Sequence, residues 1–428
     1  MFIRALYTLL LATASPLLLF GLYRRRPNKP AFGPRWKEHF GLTPPLTVTS
    51  KQQPIWIHAV SVGESIAAIP VIKAIKNNNP EQTIVVTTTT STGAEQISKL
   101  GELVEHRYMP IDFAWCVRGF LKAINPSAML IMETELWPNT LATVHRAGVP
   151  VIVMNARLSE RSAQRYAKFH SVFNTIAANL NHLLCLHQDD ADRFARLGIP
   201  ADRLSVTGSV KFDIQIAPAL LAQSQQLRQQ LGEARPVWIA ASTHKGEDEQ
   251  ILEAFKAVKK QHPECLLILV PRHPERFDSV ADLCQSQQLS CVRRTTKQTV
   301  DSNTDVYLAD TMGEMLLLMG AADITVMCGS LIGDKVGGHN MLEPAALAKP
   351  ILTGPSYYNF ADITQQLKAA GALDVCRDAG EIGERLSTLL SDPAQCKRMG
   401  EAGCEVVKNN QGAVAKTLAV IDQQLAKN

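Results

Sequence analysis

Short apolar runs recur along most of this chain, each ending in small or polar residues. Residues 55–60, 83–88, 128–132, 151–155, 182–186 and 204–207 form one series, and 237–241, 265–270, 305–308, 324–328 and 350–353 form a second. The runs are continuous rather than alternating, as parallel strands buried on both faces require. Helical stretches separate them, and that alternation predicts doubly wound α/β architecture. The Gln-rich stretch 223–230 divides the two series and reads as a helix. The two halves open alike, with "IWIHAVSVGES" at 55–65 and "VWIAASTHKGED" at 237–248. Each has a strand containing Trp-Ile, a small-residue turn, and Gly-Glu where a helix starts. The expectation is two Rossmann-like domains facing across a cleft, with ligand-binding loops beyond the carboxyl ends of the strands.

The first segment breaks this pattern. Residues 5–23 are almost wholly apolar and carry no charge, close to the roughly 20 residues of a spanning helix. Arg24, Arg25, Arg26, Lys29, Arg35 and Lys37 follow, against Arg4 before it. The positive-inside rule then places the rest of the chain in the cytoplasm. A cleaved signal peptide ending at Ala12-Thr13-Ala14 is the rival. It fits less well, because the apolar run continues to Phe20 and the basic residues come after it. Pro16 weakens a straight helix, so a shallow, oblique anchor is a further alternative. Either anchor holds the body at a membrane surface and makes a lipid substrate plausible. The expected division is an anchor at 1–26, a domain at 27–212 and a second at 213–428.

Composition narrows the chemistry. The 428 residues carry a net charge of only +4, so nothing in the charge balance points to nucleic acid. The nine cysteines are scattered in apolar contexts, as buried free thiols of a reducing compartment are. The chain has no GxxxxGK[ST] and no GxGxxG after a strand, which disfavours P-loop phosphoryl transfer and dinucleotide chemistry. No His/Cys cluster has metal-ligand spacing. Asp189, Asp190 and Asp192 read as capping acids at a helix start. No metal or cofactor is expected.

Glu64 lies at a strand end in the first turn of a helix. It is read either as a carboxylate favoured by the helix dipole or as a general base held ready for an attacking alcohol. In "METELWPN" (132–139), Glu133 and Glu135 stand one residue apart, which on an extended chain points both acids to one side. Lys211 in "GSVKFD" (208–213) is placed to reach a phosphate or carboxylate. "PRHPER" (271–276) clusters Arg272, His273 and Arg276 after a strong strand, and Arg suits bidentate phosphate binding. "DTMGEM" (310–315) and "GGHNMLEPAA" (337–346) each put glycine before a helix whose free N–H groups suit an anion. Gly313 and Glu314 start one, and Asn340 and Glu343 flank the other. Residues 329–338 read as a flexible loop over this site.

Taken together, "SVGE", "METELWPN", "NARLS" (155–159), "GSVKFD", "PRHPER", "MGE" and "GGHN-LEPAA" resemble the family of 3-deoxy-D-manno-octulosonic acid (Kdo) transferases of lipid A and lipopolysaccharide assembly in Gram-negative bacteria. The resemblance covers essentially the whole chain. Met341 departs from it, where the family pattern has proline. The resemblance implies a GT-B glycosyltransferase of the inner membrane, with CMP-Kdo as donor and a lipid A precursor (lipid IVA) as acceptor. It implies Glu64 as general base and Glu133 and Lys211 as stabilisers of the transition state. CMP would be held by Pro271 and Arg272, by Met312, Gly313 and Glu314, and by Asn340, Met341, Leu342 and Glu343. Other readings are a GT-B transferase using a UDP-sugar and a lipid carrier, and a membrane-anchored nucleotide-binding protein without catalysis.

Overall fold

A computed structural model of the chain describes residues 2–24, 30–47 and 52–426. Arg25, Arg26 and Lys29 of the basic run lie outside the described residues. The chain forms two compact units, residues 1–213 with 411–428, and residues 214–410. Each is built on one seven-stranded parallel sheet.

The first unit contains β1 (Ile55–His58), β2 (Ile84–Thr88), β3 (Glu105–Tyr108), β4 (Ala128–Met132), β5 (Val151–Ala156), β6 (His182–Cys185) and β7 (Leu204–Val206). Their order is β3-β2-β1-β4-β5-β6-β7. The direction of winding reverses between β1 and β4, which pair from Ile55 with Ala128 to His58 with Ile131. Helices cover both faces, so every residue of β1, β2, β4 and β5 is buried. Ile55 and Ile57 pack toward the helix Val62–Asn78, while Trp56 packs against Phe120 on the opposite face, ring centroids 4.5 Å apart.

The second unit contains β8 (Val237–Thr243), β9 (Leu266–Pro271), β10 (Cys291–Arg293), β11 (Val306–Leu308), β12 (Ile324–Met327), β13 (Ile351–Thr353) and β14 (Leu373–Val375). The order is β10-β11-β9-β8-β12-β13-β14, with the reversal between β8 and β12. The tryptophans of the two similar openings, Trp56 and Trp238, are both fully buried. The Gln-rich stretch lies in the helix Pro218–Leu231.

The eleven apolar runs all become strands. The three strands that hydropathy does not reveal, β3, β10 and β14, are all at sheet edges. An edge strand is half-solvated and short, so it can do without a continuous apolar run, although the fourth edge, β7, keeps one. β3 reads Glu-His-Arg-Tyr, and β10 is only partly buried throughout.

The last segment goes to the first unit, although the sequence division ran the second domain to residue 428. Ala413, Leu418 and Ile421 of the helix Ala413–Leu425 enter the first unit's core with Ala67, Val71 and Val210. The Asp213 carboxylate accepts from the Gly412 N–H at 2.6 Å and also from the Val414 N–H, capping that helix.

The helix Phe2–Tyr23 has 22 residues and is, by length and composition, apolar enough to cross a membrane. Leu6, Leu9, Leu10, Leu17, Leu18 and Phe20 are exposed. Polar groups elsewhere on it meet the first unit: Asn139 Nδ2 donates to Thr8 Oγ1 at 2.9 Å, and Tyr23 Oη lies 2.7 Å from His39 Nδ1. Arg35, counted above with the basic flank, is tied to Glu38 through Nε and Nη2 at 2.7 and 3.0 Å and serves the fold.

Candidate functional site

The β1–β4 reversal is the place where a doubly wound sheet opens a crevice beyond its strand ends. Ser61 caps the helix that follows β1, and Glu64 sits at its third position. The Glu64 carboxylate turns back, taking the Val60 N–H on Oε2 at 2.8 Å and the Ser61 hydroxyl on Oε1 at 2.8 Å. This is a variant of the reciprocal capping box, so the helix-terminal reading of Glu64 holds. It leaves each carboxylate oxygen with unused acceptor capacity. Burial raises the Glu64 pKa above the usual carboxylate range. The two hydrogen bonds oppose that rise, and the charges of Glu133 and Glu135 add to it. A carboxylate so placed binds a proton more tightly than a solvated one, as a general base should.

β4 delivers the other two acids. The chain is not extended after it: Glu133 takes a left-handed conformation, φ 59°, and its N–H bonds the Met154 carbonyl at 2.8 Å. The turn therefore separates the two acids that an extended chain would align. Glu133 Oε1 meets Lys211 Nζ at 3.2 Å, whereas Glu135 Oε2 accepts from Trp137 Nε1 at 3.2 Å. Lys211 arrives from the short 3-10 helix Val210–Phe212, whose neighbours Val210 and Phe212 are buried. The first unit thus brings Glu64, Glu133 and Lys211 together from three distant points in the sequence. Gly63 lies beside them in open space, since a Cβ there would have only Ser61 Oγ within 4 Å, at 3.9 Å.

The second unit holds the remaining candidates. Pro271 ends β9, and Arg272 follows it, exposed, its N–H bonded to the Thr243 carbonyl at 3.0 Å. Arg276, grouped with it in the sequence, is already committed: it binds the buried Asp248 carboxylate and donates to the Thr243 carbonyl at 2.7 Å. After β11, Met312 is exposed and Gly313 has φ 85°. Glu314 is locked in a bidentate pair with Arg294, both contacts 2.7 Å, and this lowers its pKa. It offers a fixed rather than a mobile carboxylate. Asn340 Nδ2 donates to Glu343 at 3.2 Å, and burial raises the Glu343 pKa. Met341 and Leu342 are fully buried, so they support this segment with their side chains rather than present them. The helices involved, Met315–Ala321 and Leu342–Ala346, have seven and five residues, so their dipoles are small.

Glu247, overlooked in the sequence, organises the loops of this unit. It is fully buried and accepts four backbone N–H groups, from His244 (2.9 Å), Gly329 (2.8 Å), Ser330 (2.9 Å) and Leu331 (3.0 Å). The segment 329–338, expected to be a flexible cover, is therefore tied at its start by Glu247 and at its end by the Gly338 N–H on the Gly329 carbonyl at 2.9 Å. His244 and His339 meet over it. The sequence signal for them is slight, a histidine just past β8 and another just before Asn340.

Residues 34–214 match the family described as 3-deoxy-D-manno-octulosonic-acid transferase (kdotransferase), and residues 229–406 match glycosyl transferases group 1. The chain is 38% identical to the 3-deoxy-D-manno-octulosonic acid transferase of Haemophilus influenzae, over 99% of both chains. It is 32% identical to that of Bordetella pertussis, again over 99% of both. A solved UDP-GlcNAc 2-epimerase from Neisseria meningitidis, 15% identical, superposes with a TM-score of 0.54 over 88% of this chain and 100% of that one, and this bears on the fold alone. With two Rossmann-like units of GT-B type and full-length relatives at this identity, the chain belongs to the 3-deoxy-D-manno-octulosonic acid transferases, a family of glycosyltransferases.

Proposed function

We propose that the protein transfers Kdo from CMP-Kdo to a lipid A precursor with inversion at the anomeric carbon, and that Glu64 is the general base. The observation that carries this reading is the convergence of Glu64, Glu133 and Lys211 at the β1–β4 crevice. Glu64 takes the proton from a primary hydroxyl of the acceptor as that oxygen attacks. The Lys211–Glu133 pair keeps a cation beside the reacting centre and balances its charge. A single base acting on the attacking hydroxyl, with no residue assigned as covalent nucleophile, fits an inverting displacement.

The second unit takes the nucleotide in this reading. Pro271 and Arg272 end and follow β9, the segment Met312 to Glu314 follows β11, and the segment Asn340 to Glu343 lies between β12 and β13, in the connections where nucleotides bind such sheets. Arg272 forms no ion pair among the described residues and is available to the phosphate as CMP leaves. The helix Phe2–Tyr23, with basic residues after it, anchors the chain in the inner membrane with both units on the cytoplasmic side.

The test is incubation with CMP-Kdo and the tetraacylated lipid A precursor, followed by mass spectrometry. Transfer of Kdo is expected, and no transfer from a UDP-sugar. Glu64→Gln keeps the acceptor for the Val60 N–H but cannot take the proton. It should lose about 10²–10⁴-fold in turnover with CMP binding intact. Near-normal turnover in Glu64→Gln would remove it as the base.

A further inference from the structure

We propose that His244 and His339 form a proton-holding pair at the second unit's nucleotide site: when an anion binds, the hydrogen bond between the two rings opens and the pair takes up one proton from solvent. The inference rests on the reading that this unit receives the phosphate of the donor. His244 directly follows β8 and His339 lies in the segment after β12, so the pair stands at the reversal point of the sheet. The two Nε2 atoms are 2.9 Å apart, with the rings 9° from parallel. At that contact one Nε2 must carry a proton and the other must offer a lone pair. A second proton at that contact sets N–H against N–H and breaks the bond, whereas a proton on the donor ring's Nδ1 leaves it closed; an anion that accepts from both Nε2–H groups selects the open, charged form.

The backbone holds the rings for this task. Ser242, φ 62°, makes a bulge at the end of β8 where the register with β9 shifts. Glu247 ties the turn carrying His244 to the start of the loop that leads to His339. Any Cβ on Gly329 would come within 2.9 Å of the His339 ring, so that position admits only glycine without displacing it.

Charges of both signs face the pair. Arg272 and Arg276 follow β9 with His273 between them, and the His273 ring meets His244 edge-on at 5.3 Å. Lys245 is the exposed neighbour of His244. The acids nearby are occupied: Glu247 by four N–H groups, Asp248 by Arg276 and Thr243, and Glu343 by Asn340. Burial first, and then its neighbours His273, Arg276 and Arg272, push His244 down to about 4; burial, and then His244, Arg272 and His273, push His339 down to about 3, so both rings are neutral. An anion among the same cations offsets their field and gives each freed Nε2–H an acceptor.

The experiment follows the imidazole signals of ¹⁵N-histidine-labelled full-length protein against pH, assigned with His244→Asn and His339→Asn. Three samples are compared: no addition, CMP, and inorganic sulfate, with CMP binding followed separately by calorimetry. The expected result is that a bound anion raises the pair's titration midpoint by about one pH unit or more. In the bound state the ¹⁵N shifts should show both Nε2 atoms protonated; a contact that stays closed keeps one Nε2 as a bare acceptor even where the anion's field moves its midpoint. If CMP binds and the midpoints stay where they were, the inference fails while the nucleotide reading stands. If sulfate moves them and CMP does not bind, the pair is upheld and the cytidine reading fails. If neither anion moves them, the pair is overturned.

Discussion

Glu64 and Glu247 show how one local device diverges in chemistry. Both follow a glycine at the start of the helix after a unit's central strand, and both fold a carboxylate back onto the strand-end turn. Glu247 has four N–H donors and no exposure, which uses up its acceptor capacity. Glu64 has one N–H and one hydroxyl, is 7% exposed, and keeps room for a proton. Because its pKa is raised, kcat/KM should fall with decreasing pH at a midpoint above the ordinary glutamate value of about 4.3. In Glu135→Gln, which removes a like charge, that limb should move to lower pH. The stability contribution has the opposite sense. A raised folded pKa means the native state holds this proton more tightly, so Glu64 favours folding below its unfolded pKa and loses that contribution as pH rises through the folded one. Gly63 supplies a second check. Its φ is ordinary and a Cβ there meets almost nothing, so Gly63→Ala should stabilise the protein by about 0.5–1 kcal/mol in denaturant unfolding. If the acceptor occupies that open space, as proposed, kcat/KM should drop at the same time.

At the scale of elements, the apolar runs exposed every interior strand and one edge, β7, and concealed the other three edges, for a physical reason. An interior parallel strand must be apolar on both faces, whereas β3 carries Glu105 and Arg107, paired with each other at 2.8 Å at the sheet margin. Local spacing also misled after β4, because the left-handed turn at Glu133 depends on its bond to Met154 in β5, a residue far along the chain. Met341 shows the converse. The resemblance leads one to expect proline here, and the φ of −79° would accept one. Met341 instead fills a fully buried site, and its sulfur accepts the Thr364 hydroxyl at 3.0 Å. Met341→Pro should therefore lower stability by about 1–3 kcal/mol through lost packing, measured by chemical unfolding, without breaking the short helix that follows.

At the scale of the whole molecule, the chain crosses from the first unit to the second and returns. Deleting residues 411–428 removes Ala413, Leu418 and Ile421 from the first unit's core and leaves Asp213 without the N–H groups it caps. The expected loss is several kcal/mol. In calorimetry the transition of the first unit should move down by several degrees while that of the second unit stays in place. Equal shifts of both transitions would contradict the division. The sequence alone determined the α/β class, the repeated strand–turn–helix opening, the interior strands and most of the candidate residues, because burial and helix capping write themselves into local patterns. Only the tertiary structure decided which acid meets Lys211, that Arg276 and Glu314 are already engaged, that the rings of His244 and His339 meet, and where the last helix belongs. Those are contacts between residues far apart in the chain, and no local pattern of hydrophobic and polar positions encodes them.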